Sequence, residues 1–359
     1  MAGETGAGRA VSKPRRRWGW RIVGALILLL IAYVAVIVMA NRSLKPEASL
    51  VVPPPRAGLP DALAATITVT SWNLGFGALG AEGDAISDGG KSLFPASGEI
   101  VQKNIDGIVA TLGGLDQDML MLQEVSQRSL MSWWRPLYDS IAALYPDRQM
   151  AFRPDIHTWG LPFPLAIDHG TMVALKANPR NVEIVPLPLE PGAIMGLIKR
   201  RYALQVVRVP VAGQQSDWVL VNLHLSAFDE AGSVRRQQLA AVMEFAATEH
   251  AKGNHVVIGG DWNMVLHDPD LPSTTTEDLL FWVVPFPPEA LPDGWRIVTG
   301  DRQATVRTTD KPYVEGENYR TAIDGFVVSP NVAVESVSVL DTKFAFSDHA
   351  PVTAVFTAN

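Results

Sequence analysis

The chain has 359 residues, of which 47% are hydrophobic and 19% charged, and no internal repeat; this is enough apolar side chain for one large domain and excludes wholesale disorder. It contains no cysteine, which excludes disulfides, thiolate nucleophiles and sulfur-ligated zinc, so any metal must sit on oxygen or imidazole ligands. Of the net charge of −7, residues 1–21 contribute +5 (six cations against Glu4) and residues 22–359 the remaining −12, a balance that argues against non-specific nucleic-acid binding by counterion release.

The basic segment 1–21 leads into Ile22–Ala40, an uncharged run of 19 residues. As a helix this run rises about 28 Å, close to the ~30 Å of a hydrocarbon core. A cleaved signal peptide, with Val38 and Ala40 at the cleavage site, is the main rival reading, but the apolar run exceeds the usual ~7–15 residues. Arg15, Arg16 and Arg17 stand just before the span, and the positive-inside tendency places the N-terminus in the cytoplasm and the rest of the chain outside it. Residues 41–64 hold Pro53, Pro54, Pro55 and Pro60 and read as a stiff tether.

From residue 65 to 359 the pattern is that of a catalytic-size α+β domain. Strands are predicted over 67–72, 119–122, 171–175, 202–209, 218–223, 256–258, 323–328, 334–340 and 351–356, from β-branched and apolar runs between turn signals. Helical spacing appears at Val101, Ile105, Ile108 and Leu112, and again at Leu239, Val242, Met243 and Ala246. Strands outnumber helices, which favours a layered α/β sandwich with mixed sheets over a doubly wound parallel sheet.

Polar residues sit at the strand ends. Asn73, Glu124, His224, Asp261 and Asn263 follow apolar runs, whereas Asp324, Asp348 and His349 stand at or before the start of later ones. If the last strands run antiparallel to the earlier ones, starts and ends share one rim and all eight residues converge. Glu124, Asp348 and the Asn73 amide oxygen are hard donors suited to magnesium or manganese, or to calcium in a looser cage. His349, oriented by Asp324, is the candidate base for activating water.

The segments Ser-Trp-Asn-Leu (71–74), Leu-Gln-Glu-Val (122–125), Asn-Leu-His-Leu (222–225), Gly-Gly-Asp-Trp-Asn (259–263), Ile-Asp-Gly (323–325) and Ser-Asp-His-Ala-Pro-Val (347–352) resemble, in order, the motifs of the endonuclease/exonuclease/phosphatase (DNase I-like) superfamily over residues 66–357. The resemblance implies a four-layer α/β/β/α sandwich. It further implies Asn73 and Glu124 on the main divalent metal with Asp348 beside them, Asp261 and Asn263 on the phosphate or a second metal, and His349 activating water with Asp324 behind it. His224 would donate a hydrogen bond or proton to the phosphoryl or leaving oxygen. The implied activity is a phosphodiesterase-type hydrolase on a phospholipid, nucleotide or other phosphate ester near the membrane. An extracytoplasmic nuclease is the alternative, and a catalytically silent binding domain comes third. No obligate protein partner is evident.

Many members of that superfamily place Arg before the Asp of the Ile-Asp motif, where this chain has Ala322, and Arg320 is a candidate replacement cation. His169 is a candidate supporting residue, with a strand-entry turn as its structural alternative. Lys199, Arg200 and Arg201 read by default as a solvated face, with a phosphate-rich surface as the alternative, and the aromatic stretch Phe281–Phe286 reads as core or loop packing rather than a membrane-dipping element.

Overall fold

The computed structural model describes residues 15–45, 50–127, 129–190, 200–227, 229 and 232–359, with side chains from Trp18 onward. Most of the basic segment 1–21 and Lys199 therefore lie outside the described residues or side chains.

The domain consists of two six-stranded sheets. The first holds β1 (Thr66–Asn73), β2 (Met119–Ser126), β3 (Gln149–His157), β4 (Asp168–Leu175), β13 (Val332–Val339) and β14 (Val352–Ala358), in the order β13-β14-β1-β2-β4-β3. The second holds β5 (Asn181–Pro186), β6 (Ala203–Pro210), β7 (Asp217–His224), β8 (His255–Asp261), β9 (Arg296–Val298) and β12 (Asp324–Val328), in the order β5-β6-β7-β8-β12-β9. Two short strands, β10 (Val306–Arg307) and β11 (Arg320–Thr321), form a separate ribbon.

Period-two side-chain alternation sends central strands into two cores at once. In β2, Met119 and Met121 face the second sheet, while Leu120 and Leu122 face helices α2 (Gly98–Gly113) and α3 (Leu137–Leu144). In β7, Trp218 and Leu220 face the first sheet, and Val219, Val221 and Leu223 face α4 (Ser233–Ala251). The layers therefore run helix, sheet, sheet, helix, and each buried Leu, Val or Ile contributes about 1.5–3 kcal/mol. The mixed α/β architecture expected from the sequence is present.

Direction decides where the polar ends fall. β1 and β2 are parallel, as are β7 and β8. The two returning strands reverse, with β14 antiparallel to β1 and β12 antiparallel to β8. Residues that precede β14 or begin β12 consequently share a rim with those that end β1 and β8.

Several elements escaped the sequence reading. Pro154 interrupts β3 and argues against a strand, yet β3 is the sheet edge, where a missing N–H costs little, and its register shifts between Pro154 and Ile156. β5, β9, the β10–β11 ribbon and the eight-residue α3 are too short for a clear period. The proline-rich stretch does not hang free where it is described. Val51 pairs with Phe152, Pro53 accepts from Gln149 at 2.7 Å, Arg56 N–H donates to Asn178 at 2.8 Å, and Leu63 is buried. It covers the β3 edge that would otherwise be open to pairing.

Helix α1 (Arg15–Ser43) contains Trp18–Ser43, long and apolar enough to cross a membrane by length and composition. Most of it is exposed, but its last turns dock on the domain through Ile37 and Asn41, both buried.

A polar layer bridges the sheets beneath the rim. Gln123 of β2 donates to Asn222 of β7 at 2.7 Å, and Asn222 donates in turn to the Leu122 and Met172 carbonyls, each at 3.1 Å. Gln205 of β6 reaches the Ala151 carbonyl of β3 at 3.0 Å. Asn222→Leu keeps the volume but removes the acceptor of the shortest Gln123 bond and the side-chain donor to the Leu122 and Met172 carbonyls, and is expected to cost about 2–3 kcal/mol. Urea unfolding should show a lower midpoint at unchanged slope; an unchanged midpoint would show that the layer contributes nothing to stability.

Candidate active site

The rim is built by strand register. On the second sheet His224, Asp261 and Asp324 lie side by side, His224 opposite Asp261 and Asp324 opposite Asp261. On the first sheet Asn73 is opposite Gln123, the residue before Glu124. The β2–β4 pairing skips between Leu122 and Val125, and Glu124 takes φ 53°, so a bulge turns its carboxylate out of the pleat. Asn263 also has positive φ, 49°, a cost of order 1–3 kcal/mol that clusters at functional sites.

Glycines make the close approaches. A Cβ on Gly260, at φ +148°, would collide with the Leu223 carbonyl, and one on Gly75, at φ +51°, would lie 2.8 Å from Asp348 Oδ1.

These residues line one cleft of about 380 Å³ that includes Asn73, Glu124, His224, Asp261, Asn263, Asp348 and His349. Asp261 Oδ2 is its hub: it accepts from Asn73 Nδ2 at 2.9 Å and lies 3.6 Å from His224 Nε2 and 3.8 Å from His349 Nε2. Its Oδ1 takes the Asn263 N–H at 2.9 Å. Asp324, fully buried behind His349, accepts from Nδ1 at 2.8 Å, which directs Nε2 into the cleft. Arg235, buried, binds Asp229 at 2.6 Å and the Asn263 and Trp282 carbonyls, and so clamps the loop after β8.

Of the predicted acids, amides and imidazoles, His169 and Asp324 stay outside the cleft lining, Asp324 directly behind His349. His169 is buried against Phe76, at 4.4 Å between ring centroids, and its Nδ1 lies 3.3 Å from Asp155. Asp155 in turn lies 3.3 Å from Arg200, so His169 reaches the site through two partners.

Two cation expectations are corrected. Arg320 does not face the cleft: it lies 3.4 Å from Tyr313 and 3.9 Å from Glu315 and lines a different cavity. Arg200 is no solvated residue; it enters the cleft, 3.4 Å from Glu124 and 3.3 Å from His224 Nε2. The sequence held a usable signal. β6 runs antiparallel to β7 with Gln205 opposite Asn222, so residues just before β6 reach the His224 rim by the same strand-start rule that located Asp324 and Asp348. Most of the aromatic stretch is packing: Phe286 and Trp295 join the core under α4, and Trp282 packs on Val306 and Ile323, while Phe281 is exposed.

Negative charge is in excess. Burial, with Asp348 and Asp261 nearby, pushes Glu124 up to about 8 despite Arg200. Burial also raises Asp348, with Asp261 adding to the rise. Burial opposes a charged His349 ring, but Asp324, Asp348 and Asp261 outweigh it and hold its pKa well above the usual value. His224 goes the other way, lowered to about 4 by burial and by Arg200; at neutral pH it has a hydrogen bond to offer and no extra proton.

This donor set fits a hard dication. Carboxylates that burial forces toward the neutral form are those a cation would recharge, and Asn73 Oδ1, which among the described residues accepts the Gly75 N–H alone, at 3.0 Å, keeps a lone pair for a metal. Donor atoms of Asp261, Asp324 and His349 lie within 4.8 Å of one another, a buried cluster consistent with a divalent-metal site.

The model of the Endonuclease/Exonuclease/phosphatase family matches residues 70–349. The chain belongs to that family. No curated protein matches it in sequence. Among solved structures, an endonuclease/exonuclease/phosphatase from Beutenbergia cavernae DSM 12333 aligns with TM-score 0.53 at 18% identity, covering 82% of this chain and 72% of that one. D. rerio TDP2, complexed with single-strand DNA product, aligns at 0.51 and 15% identity over 82% and 99%. ANGEL2, a 2′,3′-cyclic phosphatase in complex with adenosine-2′,3′-vanadate, aligns at 0.53 and 15% identity over 86% and 99%. At these identities the neighbours share the endonuclease/exonuclease/phosphatase fold. Family membership with the buried acid–imidazole cluster in place makes the chain a metal-dependent phosphoric ester hydrolase.

With burial pushing Glu124 up to about 8, a cation bound there is expected to displace a proton at neutral pH. Magnesium affinity should rise between pH 6.5 and 8.5, by up to ~10-fold per pH unit for one proton released. Calorimetry in buffers of different ionisation enthalpy should detect that proton. A pH-independent affinity with no proton release would remove Glu124 from the metal shell.

Proposed function

We propose that this chain hydrolyses phosphodiesters by direct attack of water on phosphorus, with magnesium or manganese bound by Asn73 and Glu124 and with Asp348 beside them. The reading is carried by one observation, the gathering of these donors with Asp261, Asn263 and His349 around a single cleft. The bound cation supplies charge neutralisation at a phosphoryl oxygen and the leaving alkoxide.

The chain's own groups do the rest. His349 Nε2 takes a proton from the attacking water, while Asp324 fixes the tautomer and stabilises the imidazolium. The high pKa of His349 in the metal-free protein is supported by Asp348 and Asp261, and a dication beside those carboxylates lowers it toward the range a base needs. Asp261 and Asn263 hold the phosphate or a second cation, and the neutral His224 offers its hydrogen bond to a phosphoryl or leaving oxygen. Arg200 supplies the positive charge that Ala322 cannot. Catalysis then comes from positioning and preorganised charge, with no covalent intermediate.

Two substrate classes remain. Nucleic acid is favoured by the solved neighbours, one holding a single-strand DNA product and one an adenosine-2′,3′-vanadate. A phospholipid or other membrane-proximal ester is favoured by the acidic domain, by the apolar walls Phe76, Leu79, Met131, Ile156 and Trp282, and by α1. In our reading α1 is an anchor with a cytoplasmic N-terminus and the cleft outside.

The test is the full-length protein in detergent with magnesium, manganese or calcium, assayed on single-stranded DNA and RNA, plasmid, sphingomyelin, phosphoinositides and p-nitrophenyl phosphate esters. Cleavage of at least one diester is expected, abolished by chelator and reduced about 10²–10⁴-fold in kcat by His349→Ala or Asp324→Asn. Cleavage of none with any metal would leave the silent-domain reading in first place. Wild-type rates from His349→Ala would remove the proposed base.

A further inference from the structure

We propose that the tip of the β3–β4 hairpin, residues 158–167, is a second membrane-inserting element that lies in the bilayer interface beside α1. The proposal rests on the anchor reading of α1.

The tip sequence Thr-Trp-Gly-Leu-Pro-Phe-Pro-Leu-Ala-Ile carries no charge across ten residues and is flanked by His157 and Asp168. Such a run is expected in a core, yet Phe163 is 75% exposed, Leu165 54% and Trp159 48%. Trp133 is exposed next to them, in a ring series from Trp133 to Trp134 (6.5 Å between centroids) and from Trp134 to Phe163 (5.0 Å). Contiguous exposed apolar surface of this kind marks a contact with protein or lipid, and Trp prefers the headgroup level.

The position of α1 identifies which. Tyr33 Oη donates to the Gly160 carbonyl at 2.6 Å, and Ile37 is buried against Gly160. Asn41 accepts from the Trp159 N–H and donates to the Trp159 carbonyl, both at 2.8 Å. Ile37 stands three residues before Ala40, the last residue of the apolar run, a rise of about 4.5 Å along the helix, and Asn41, which holds Trp159, directly follows that run. The tip therefore docks at the end of the apolar segment, at the level of the ~6 Å headgroup zone. If α1 spans, the tip meets the bilayer interface.

Much of the tip backbone is already paired, and an interfacial position keeps water available to the rest. Unpaired N–H and C=O groups are costly in lipid. Pro162 and Pro164 have no N–H, and the N–H groups of Thr158, Trp159, Leu165 and Ile167 are bonded. The Trp159 and Gly160 carbonyls are taken by α1.

Insertion would fix the cleft against the bilayer. β3 carries Ile156 of the cleft wall and Asp155 beside Arg200. Arg201 donates to the Asn41 and Leu44 carbonyls at the end of α1, at 2.6 and 3.2 Å, while its neighbour Arg200 faces Glu124. One dipeptide thus links the helix end to the candidate site, and the substrate class this favours is a phosphodiester presented at the membrane surface.

The absence of cysteine permits a direct test on the full chain in vesicles of phosphatidylcholine with phosphatidylglycerol. Spin labels are placed singly by Phe163→Cys at the tip, Leu29→Cys in α1 and Ala212→Cys on the exposed β6–β7 turn. Collision with oxygen against a water-soluble nickel chelate is then compared by power saturation. Oxygen-dominated relaxation is expected at positions 163 and 29, and nickel-dominated relaxation at 212. Nickel-dominated relaxation at 163 with 29 still protected would overturn the insertion while leaving the anchor intact; nickel-dominated relaxation at both would remove the anchor and this inference with it.

Discussion

A buried hydrogen bond of 2.7 Å between Gln123 and Asn222 ties the two sheets together one residue below Glu124 and two below His224. Everything on the rim depends on the sheets keeping that relative position, because the cleft draws its groups from both. Asn73 and Glu124 come from the first sheet, and His224, Asp261 and Asp324 from the second. Apolar packing alone is non-directional and tolerates sliding, whereas a polar contact in a dry interface is satisfied at one register only. The contact of Asn73 with Asp261 at 2.9 Å repeats the lock at the rim itself.

The second constraint is electrostatic. Glu124, Asp261, Asp324 and Asp348 are gathered where water is scarce, with Arg200, Arg307 and His349 as the cations beside them. An unpaired buried carboxylate is costly, and burial accordingly pushes Glu124 and Asp348 toward the neutral form. A dication bound among them would relieve it and turn a destabilising cluster into a stable one. The same charge excess accounts for Arg200 bridging Asp155 and Glu124 through buried contacts.

Much of this was legible in the chain because the informative residues stand at the ends of apolar strands, and end residues remain identifiable even when strand limits shift by one or two positions. The central strands β1, β2, β7 and β8 are buried on both faces and read as continuous apolar runs. Elements without that signature stayed hidden. β3 contains Arg153, Pro154 and Asp155, and its acceptability rests on an edge position that only the tertiary fold provides. Arg200 sits in a basic triplet before a strand, a pattern that ordinarily faces solvent; in the structure Arg201 grips the end of α1 and Arg200 turns to Glu124. Arg320 failed for the opposite reason. Two residues from Ala322 in sequence, it turns its guanidinium to Tyr313 and Glu315 and lines another cavity.

The account therefore rests on one claim, that the rim formed by the two sheets is a single metal centre. Anomalous diffraction from crystals of the full-length protein grown with manganese addresses it most directly. A peak within bonding distance of Glu124 and the Asn73 amide oxygen, beside Asp348, is the predicted result. A peak on residues outside the cleft, or none at manganese concentrations that support hydrolysis, would contradict it.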